Sequence, residues 1–261
     1  MIVYPVCSSS KGNCIYIKSG NTAILIDVGV SYKFLIKSLN LAGFSEKEIK
    51  AIFITHEHID HVSGLTCATK FLKVPVYSTK DILKELIIKN LIFDGTKLFE
   101  IDRKIAKVFD VNVSAFRVLH DSVDGVRFKV FDKEKKVSIC TDLGRPTLEL
   151  IDILKDSDLV FLESNYDFEM LRNGLYPYHL KKRIMSQYGH LSNSDAASII
   201  NILIEKGVKR FILGHLSQKN NLPQIAMKTI VTFLLKKNKK YMKDYELYVA
   251  PSRTVGKFFE V

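Results

Sequence analysis

The 261-residue chain has only four cysteines (Cys7, Cys14, Cys67 and Cys140), and no two of them form a C-x-x-C pair. That absence excludes a structural zinc knuckle and a dithiol redox motif. Cys7 and Cys14 bracket a loop and could pair, but buried reduced thiols are expected in a reducing compartment. No apolar run approaches the roughly 20 residues that span a bilayer, so no membrane partner is expected. The first residues, Met1-Ile2-Val3-Tyr4-Pro5, lack the charged start and long apolar stretch of a signal peptide. A cytoplasmic location is the expectation. No internal repeat, low-complexity tract or linker interrupts the sequence. At this length one domain over residues 1–261 with a large core is expected.

Positive charge is in excess: 39 Lys and Arg against 28 Asp and Glu give a formal net charge of +11 and a pI near 9.3. Such an excess favours polyanionic partners, nucleic acid above all. The surplus is mostly scattered lysine, however, and a lysine-rich genome produces the same bias. Charge alone therefore raises the case for a nucleic-acid substrate only modestly.

Chemistry is concentrated at Thr55-His56-Glu57-His58-Ile59-Asp60-His61. Residues 51–54 before it are an apolar, β-branched run of the kind that forms a buried strand, and residues 62–73 read as a helix. Three imidazoles and a carboxylate thus lie where a strand meets a helix, the place where open α/β sheets carry their sites. His56 and His58, two apart, project to the same side of extended backbone. Asp60 and His61 follow on the turn. This donor mixture suits zinc, iron or manganese, and two metals about 3.5–4 Å apart make a hydrolytic site. Asp27 ends the apolar run 22–28 and is expected to brace the metal loop rather than touch metal, because a carboxylate there seldom stays unpaired. The polar loop 8–13, with Ser10 and Asn13, reads equally well as a phosphate cradle and as plain turn chemistry.

Strand–loop junctions with polar residues recur at His120, Asp142, Glu163, His190 and His215. Residues 181–188 read as a basic helix containing Lys181, Lys182 and Arg183, and residues 195–206 as a helix capped by Ser194 and ended by Gly207. The first half alternates strands with helices and the second half repeats the theme. Two βα halves packed face to face would bring the charged strand ends to one edge.

These motifs resemble the metallo-β-lactamase superfamily, with H-x-H-x-D-H at 56–61 and the likeness covering essentially the whole chain. The resemblance implies an α/β, four-layer αβ/βα sandwich and two divalent metal ions, zinc or alternatively manganese. It places His56, His58 and His120 on one metal, Asp60, His61 and His215 on the second, and Asp142 between them. A carboxylate at 142, where β-lactamases place cysteine, disfavours antibiotic hydrolysis. Only 21 residues separate His120 from Asp142 and only 47 separate Asp142 from His190, spacings too short for the arm of RNase Z or the inserted domain of RNase J. The compact WalJ (YycJ)-type branch is similar in Ser8-Ser9-Ser10-Lys11-Gly12-Asn13, Thr141-Asp142-Leu143-Gly144, Glu163-Ser164-Asn165 and Gly189-His190-Leu191-Ser192-Asn193. His215-Leu216-Ser217 with Asn220-Asn221 completes the likeness. Tyr166 departs from the histidine expected after Glu-Ser-Asn.

That branch implies a metal-dependent phosphodiesterase, a 5′→3′ exonuclease on double-stranded DNA. On that reading a water activated by the two metals would attack the phosphorus in line with the leaving oxygen. Asp60 would orient it, His190 is the candidate to donate a proton to the leaving alkoxide, and Glu163 would set the tautomer of His190. Lys181, Arg183, Asn165, Ser192, Asn193 and Asn220, with Ser10 and Asn13, are candidates for contacting the substrate. The alternative is a small-molecule hydrolase, a thioesterase or cyclic-phosphate esterase on the same metals. A binding module keeping metal for structure is disfavoured, since structural zinc needs only four ligands. The sequence leaves the oligomeric state open.

Overall fold

The computed structural model describes residues 1–102, 104–252 and 256–261. The chain divides into two compact units, Met1–Arg117 with Ser122–Lys135 and Pro251–Val261, and Val118–Asp121 with Lys136–Ala250.

In the first unit, β1 (Ile2–Ser9), β2 (Gly12–Ser19) and β3 (Thr22–Ile26) form an antiparallel meander. Parallel strands β4 (Ile49–Phe53), β5 (Val76–Ser78) and β6 (Leu98–Glu100) extend it. Helices α1 (Tyr32–Leu41), α2 (Ile59–Val62), α3 (Leu65–Leu72) and α4 (Lys80–Ile88) occupy the connections. Alternation decides the faces. Tyr4, Tyr16, Leu25 and Ile52 point into a core with Leu35, Leu39, Leu65 and Leu86. On the other face Phe53 meets Phe128 edge-on at 5.5 Å. Phe128 belongs to the antiparallel trio β7 (Ile105–Val108), β8 (Val111–Arg117) and β9 (Val126–Phe131). Strands β3 and β4 are apolar almost throughout because both of their faces are covered.

The second unit holds four parallel strands, β10 (Lys136–Cys140), β11 (Leu159–Glu163), β12 (Arg210–Gly214) and β13 (Glu246–Val249). Their connections carry α5 (Leu148–Leu154), α6 (Phe168–Asn173), α7 (Tyr178–Ile184), α8 (Asn193–Glu205) and α9 (Pro223–Lys236). The last strand, β14 (Phe259–Glu260), returns to the first unit and pairs with β1. Among the described residues no helix is long and apolar enough to cross a membrane.

The structure corrects three expectations of local structure. The polar loop 8–13 is a tight hairpin, with Ser8 opposite Asn13 and Ser9 opposite Gly12, so Cys7 faces Cys14 without a disulfide between them. The helix expected over 62–73 is broken at Ser63-Gly64, where a Cβ on Gly64 would lie 1.8 Å from the Val30 carbonyl oxygen. Helix α8 begins two residues early, because Ser192 rather than Ser194 caps it and accepts the Asp195 N–H.

The segment leaving β3 positions the 56–61 turn. Val28 N–H donates to the His61 carbonyl, Gly29 N–H to that of Asn13, and Gly64 N–H to that of Val28, all at 2.7–2.8 Å. A Cβ on Gly29 would sit 1.6 Å from the Asp60 carbonyl oxygen. Gly29→Ala is therefore expected to push the turn outward at a cost of about 3 kcal/mol. In thermal unfolding the midpoint should fall by roughly 6–12 °C.

Candidate metal-binding residues

Each unit carries one cluster built on a buried carboxylate. In the first, Asp27 follows β3 in the left-handed region (φ 60°), a conformation that costs energy for a residue with a Cβ. The geometry aims its carboxylate at the loop after β4. Oδ1 accepts the Thr55 N–H and Oδ2 the Thr55 hydroxyl, each at 2.8 Å, and Oδ2 lies 2.7 Å from His61 Nδ1. Asp27 thus braces the loop as expected.

The tautomers follow. Ionised Asp27 only accepts, so His61 carries its proton on Nδ1. The Thr55 hydroxyl spends its proton on Asp27 and accepts from His56 Nδ1 at 2.9 Å. Both imidazoles therefore keep their lone pair on Nε2, the form a metal ligand needs. His56 Nε2 lies 3.1 Å from His58 Nδ1, confirming that these side chains share one side. Two nitrogens about 2.0–2.1 Å from a tetrahedral zinc would stand roughly 3.4 Å apart, so the spacing fits. Beside them Asp60 Oδ2 lies 3.4 Å from His61 Nε2. Asn13 Nδ2 reaches Asp60 Oδ2 at 3.2 Å and His61 Nε2 at 3.0 Å, while donating to the Ser9 carbonyl at 3.0 Å. Asn13 is buried and steadies these residues, whereas Ser10 lies exposed at the hairpin tip.

Glu163, fully buried at the end of β11, plays the corresponding part in the second unit. Its Oε1 lies 2.7 Å from His215 Nδ1 and 2.9 Å from His190 Nδ1. Its Oε2 accepts the Leu143 and Leu191 N–H groups at 3.1 and 3.0 Å. Burial alone would raise this carboxyl, but His190 and then His215 outweigh it and bring it down to about 2. Ionised, it fixes both imidazoles with the proton on Nδ1. Sequence reasoning assigned it His190 and missed His215.

Asp142 Oδ1 lies 3.1 Å from His215 Nδ1 and 3.9 Å from His120 Nε2. His120 Nδ1 faces the Gly189 carbonyl at 3.2 Å, leaving Nε2 toward Asp142. Ligand atoms of Asp142, Glu163, His190 and His215 lie within 4.8 Å of one another. Asp142 and His215, like Asp27, sit at positive φ (both 55°) within two residues of a strand end. Such strain gathers where a side chain must be aimed. The histidine–carboxylate clusters suit a divalent cation.

The remaining expected residues are placed differently. Asn165, Ser192 and Asn193 are buried and serve the chain itself. Asn165 donates to the His215 carbonyl at 2.9 Å, Ser192 caps α8, and Asn193 accepts from Ser164 and Asn221. Loops leaving a sheet carry backbone groups that need partners, and asparagine supplies both a donor and an acceptor. Asn220 is buried with its carbonyl on the Asp167 N–H. Asn221, part of the Asn220-Asn221 pair in the sequence motif, donates to the Ser164 and Asn165 carbonyls. Tyr166 is buried and bridged to Ser192, and burial first, then the Asp195 and Glu163 charges, push its hydroxyl up to about 12. Lys181 Nζ donates to the Arg172 carbonyl, and Arg183 Nε pairs with Asp121 at 2.6 Å.

Residues 10–215 match the family model described as metallo-beta-lactamase superfamily. The chain is 30% identical to exodeoxyribonuclease YycJ of Bacillus anthracis over 246 residues, covering 93% of this chain and 92% of that one. It is 28% identical to exodeoxyribonuclease WalJ of Streptococcus pneumoniae over 259 residues, covering 98% and 96%. Among solved structures, the metallo-beta-lactamase fold protein YhfI of Bacillus subtilis superposes with a TM-score of 0.74 at 17% identity, covering 99% of each chain.

Proposed function

The chain belongs to the metallo-β-lactamase superfamily and has its fold, and from that premise we propose that it is a metal-dependent exonuclease that degrades duplex DNA from the 5′ end. The observation that carries the metal chemistry is the pair of buried carboxylates, Asp27 holding the His61 imidazole and Glu163 those of His190 and His215 through Nδ1. The DNA substrate is supported by the similarity to two exodeoxyribonucleases over more than nine-tenths of the chain and by the net charge of +11.

In this reading both units form one domain working in the cytoplasm. His56, His58 and His120 would hold one divalent ion and Asp60, His61 and His215 the second, with Asp142 shared. Imidazole and carboxylate donors suit zinc, with manganese as the alternative. When bound, the ions supply an acidified water and neutralise charge on the scissile phosphate. The chain's own groups do the rest. Asp60, steadied by Asn13, orients the attacking water. His190, its Nδ1–H held by Glu163, would act as the imidazolium that a buried carboxylate favours, giving its Nε2 proton to the leaving alkoxide and returning to the neutral Nδ1–H form. Lys181 and Arg183 supply charge for backbone phosphates.

The test is digestion of linear duplex DNA labelled at one 5′ end, with zinc or manganese added back after chelation. Release of the label as a mononucleotide, blocked by chelator, is the expected result. Cleavage of closed circular DNA would replace exonuclease by endonuclease action. Turnover of thioesters or cyclic nucleotides with DNA left intact would sink the nuclease reading.

A further inference from the structure

Between Asn165 and Leu191 the second unit sends out a helical arm with both ends cinched. Asn165 N–H donates to the Leu191 carbonyl at 2.9 Å, and Tyr166 forms a β-bridge with Ser192. The arm leaves directly after Glu163 and returns directly into His190. It carries five exposed large apolar or aromatic side chains within a short segment. Leu175, at the turn between α6 and α7, is fully exposed (102%), Tyr178 is 77% exposed, and Phe168, Met185 and Tyr188 are 41–48% exposed. Four cations, Arg172, Lys181, Lys182 and Arg183, stand against two carboxylates, Asp167 and Glu169, over residues 167–188. Apolar groups left in water at this density mark a surface that something covers.

The arm is also stiff. Asp167 caps α6 through the Met170 N–H, and Lys181 Nζ ties α7 to the Arg172 carbonyl at 2.8 Å. Gly174 packs so tightly under the tip that a Cβ would lie 2.6 Å from the Met170 carbonyl oxygen and 2.8 Å from Asn220 Oδ1. At its far end Gly189 leaves no room either, with a Cβ 2.2 Å from the Ile184 carbonyl oxygen. A rigid apolar tip, aromatic rings and lysines in one short segment match the chemistry of single-stranded nucleic acid, whose bases stack on rings and whose phosphates seek cations. Apolar side chains also serve as wedges between base steps.

We infer that this arm parts the end of the duplex, with Leu175 as the wedge and Tyr178 and Tyr188 as stacking platforms for the freed strand that enters beside His190. The inference rests on the nuclease reading but is tested apart from it. Binding of a labelled oligothymidylate to the full chain is read by fluorescence anisotropy in chelator, where no strand is cut. Tyr178→Ala and Tyr188→Ala are expected to weaken it about 5- to 50-fold each. With metal present, the ratio of blunt-duplex to 5′-tailed-duplex degradation should fall about tenfold in Leu175→Ala. Unchanged oligothymidylate affinity in both tyrosine variants, or an unchanged ratio in Leu175→Ala, would overturn the inference. So would a wild-type dimer that becomes monomeric in Leu175→Ala and Tyr178→Ala with DNA affinity intact, since the patch would then be a self-interface. A wild-type chain that binds the oligomer but degrades neither duplex would overturn the nuclease reading and leave the stacking surface standing.

Discussion

Replacing His61 with alanine is expected to lower the rate of DNA hydrolysis by at least about a thousandfold, because a metal ligand supplies several kcal/mol of transition-state stabilisation. His61 is fully buried, and its Nδ1 is fixed 2.7 Å from Asp27. Its Nε2 therefore has one orientation and no rotamer to search. The folded state should survive, since Asp27 keeps the Thr55 N–H and hydroxyl, each at 2.8 Å. The lost packing costs about 2–3 kcal/mol. Circular dichroism checks the fold and chelator competition checks the metal. Asp27→Asn supplies the graded case: His61 stays, but the carboxylate that sets its tautomer is gone, and metal affinity should fall about 10- to 100-fold. If His61→Ala kept its metal and its rate, this half of the ligand assignment would be wrong.

The contrast between these residues shows what is legible in a linear sequence. The cluster at 56–61 could be read because its imidazoles and carboxylate are contiguous and follow a buried strand, so the geometry is local. Asp27 could be read because a carboxylate closing an apolar strand must have partners nearby. The break at Gly64 could not, because its cause is the Val30 carbonyl, a contact made only after folding. The start of α8 was a choice between two nearby serines, and Asp195, three residues after Ser192, was the unused discriminator. Asn165, Asn193 and Asn221 are 28 and 56 residues apart in a network with no periodicity, and an asparagine beside a strand end looks the same whether it holds a carbonyl or a phosphate. The second role of Glu163 was hidden for the same reason, since His190 and His215 lie 27 and 52 residues beyond it.

Glu163→Gln puts that double role to the hardest test. The amide has one acceptor oxygen where the carboxylate offers two. If its NH2 faces Leu143 and Leu191, two buried N–H groups lose their acceptor. If it faces the imidazoles, His190 and His215 must move their protons to Nε2, and His215 loses the lone pair a metal requires. Either way about 2 kcal/mol of stability should go, seen as a melting point lower by roughly 4–8 °C. At limiting metal the rate should fall about a thousandfold, combining weakened binding at His215 with loss of the carboxylate charge that stabilises the imidazolium at His190. Excess metal should restore the first part only. His190→Ala separates the two, since it should lose the proton-transfer part while holding metal as tightly as the unaltered chain. A Glu163→Gln protein within threefold of the unaltered rate at limiting metal would show that the imidazoles do not depend on this carboxylate.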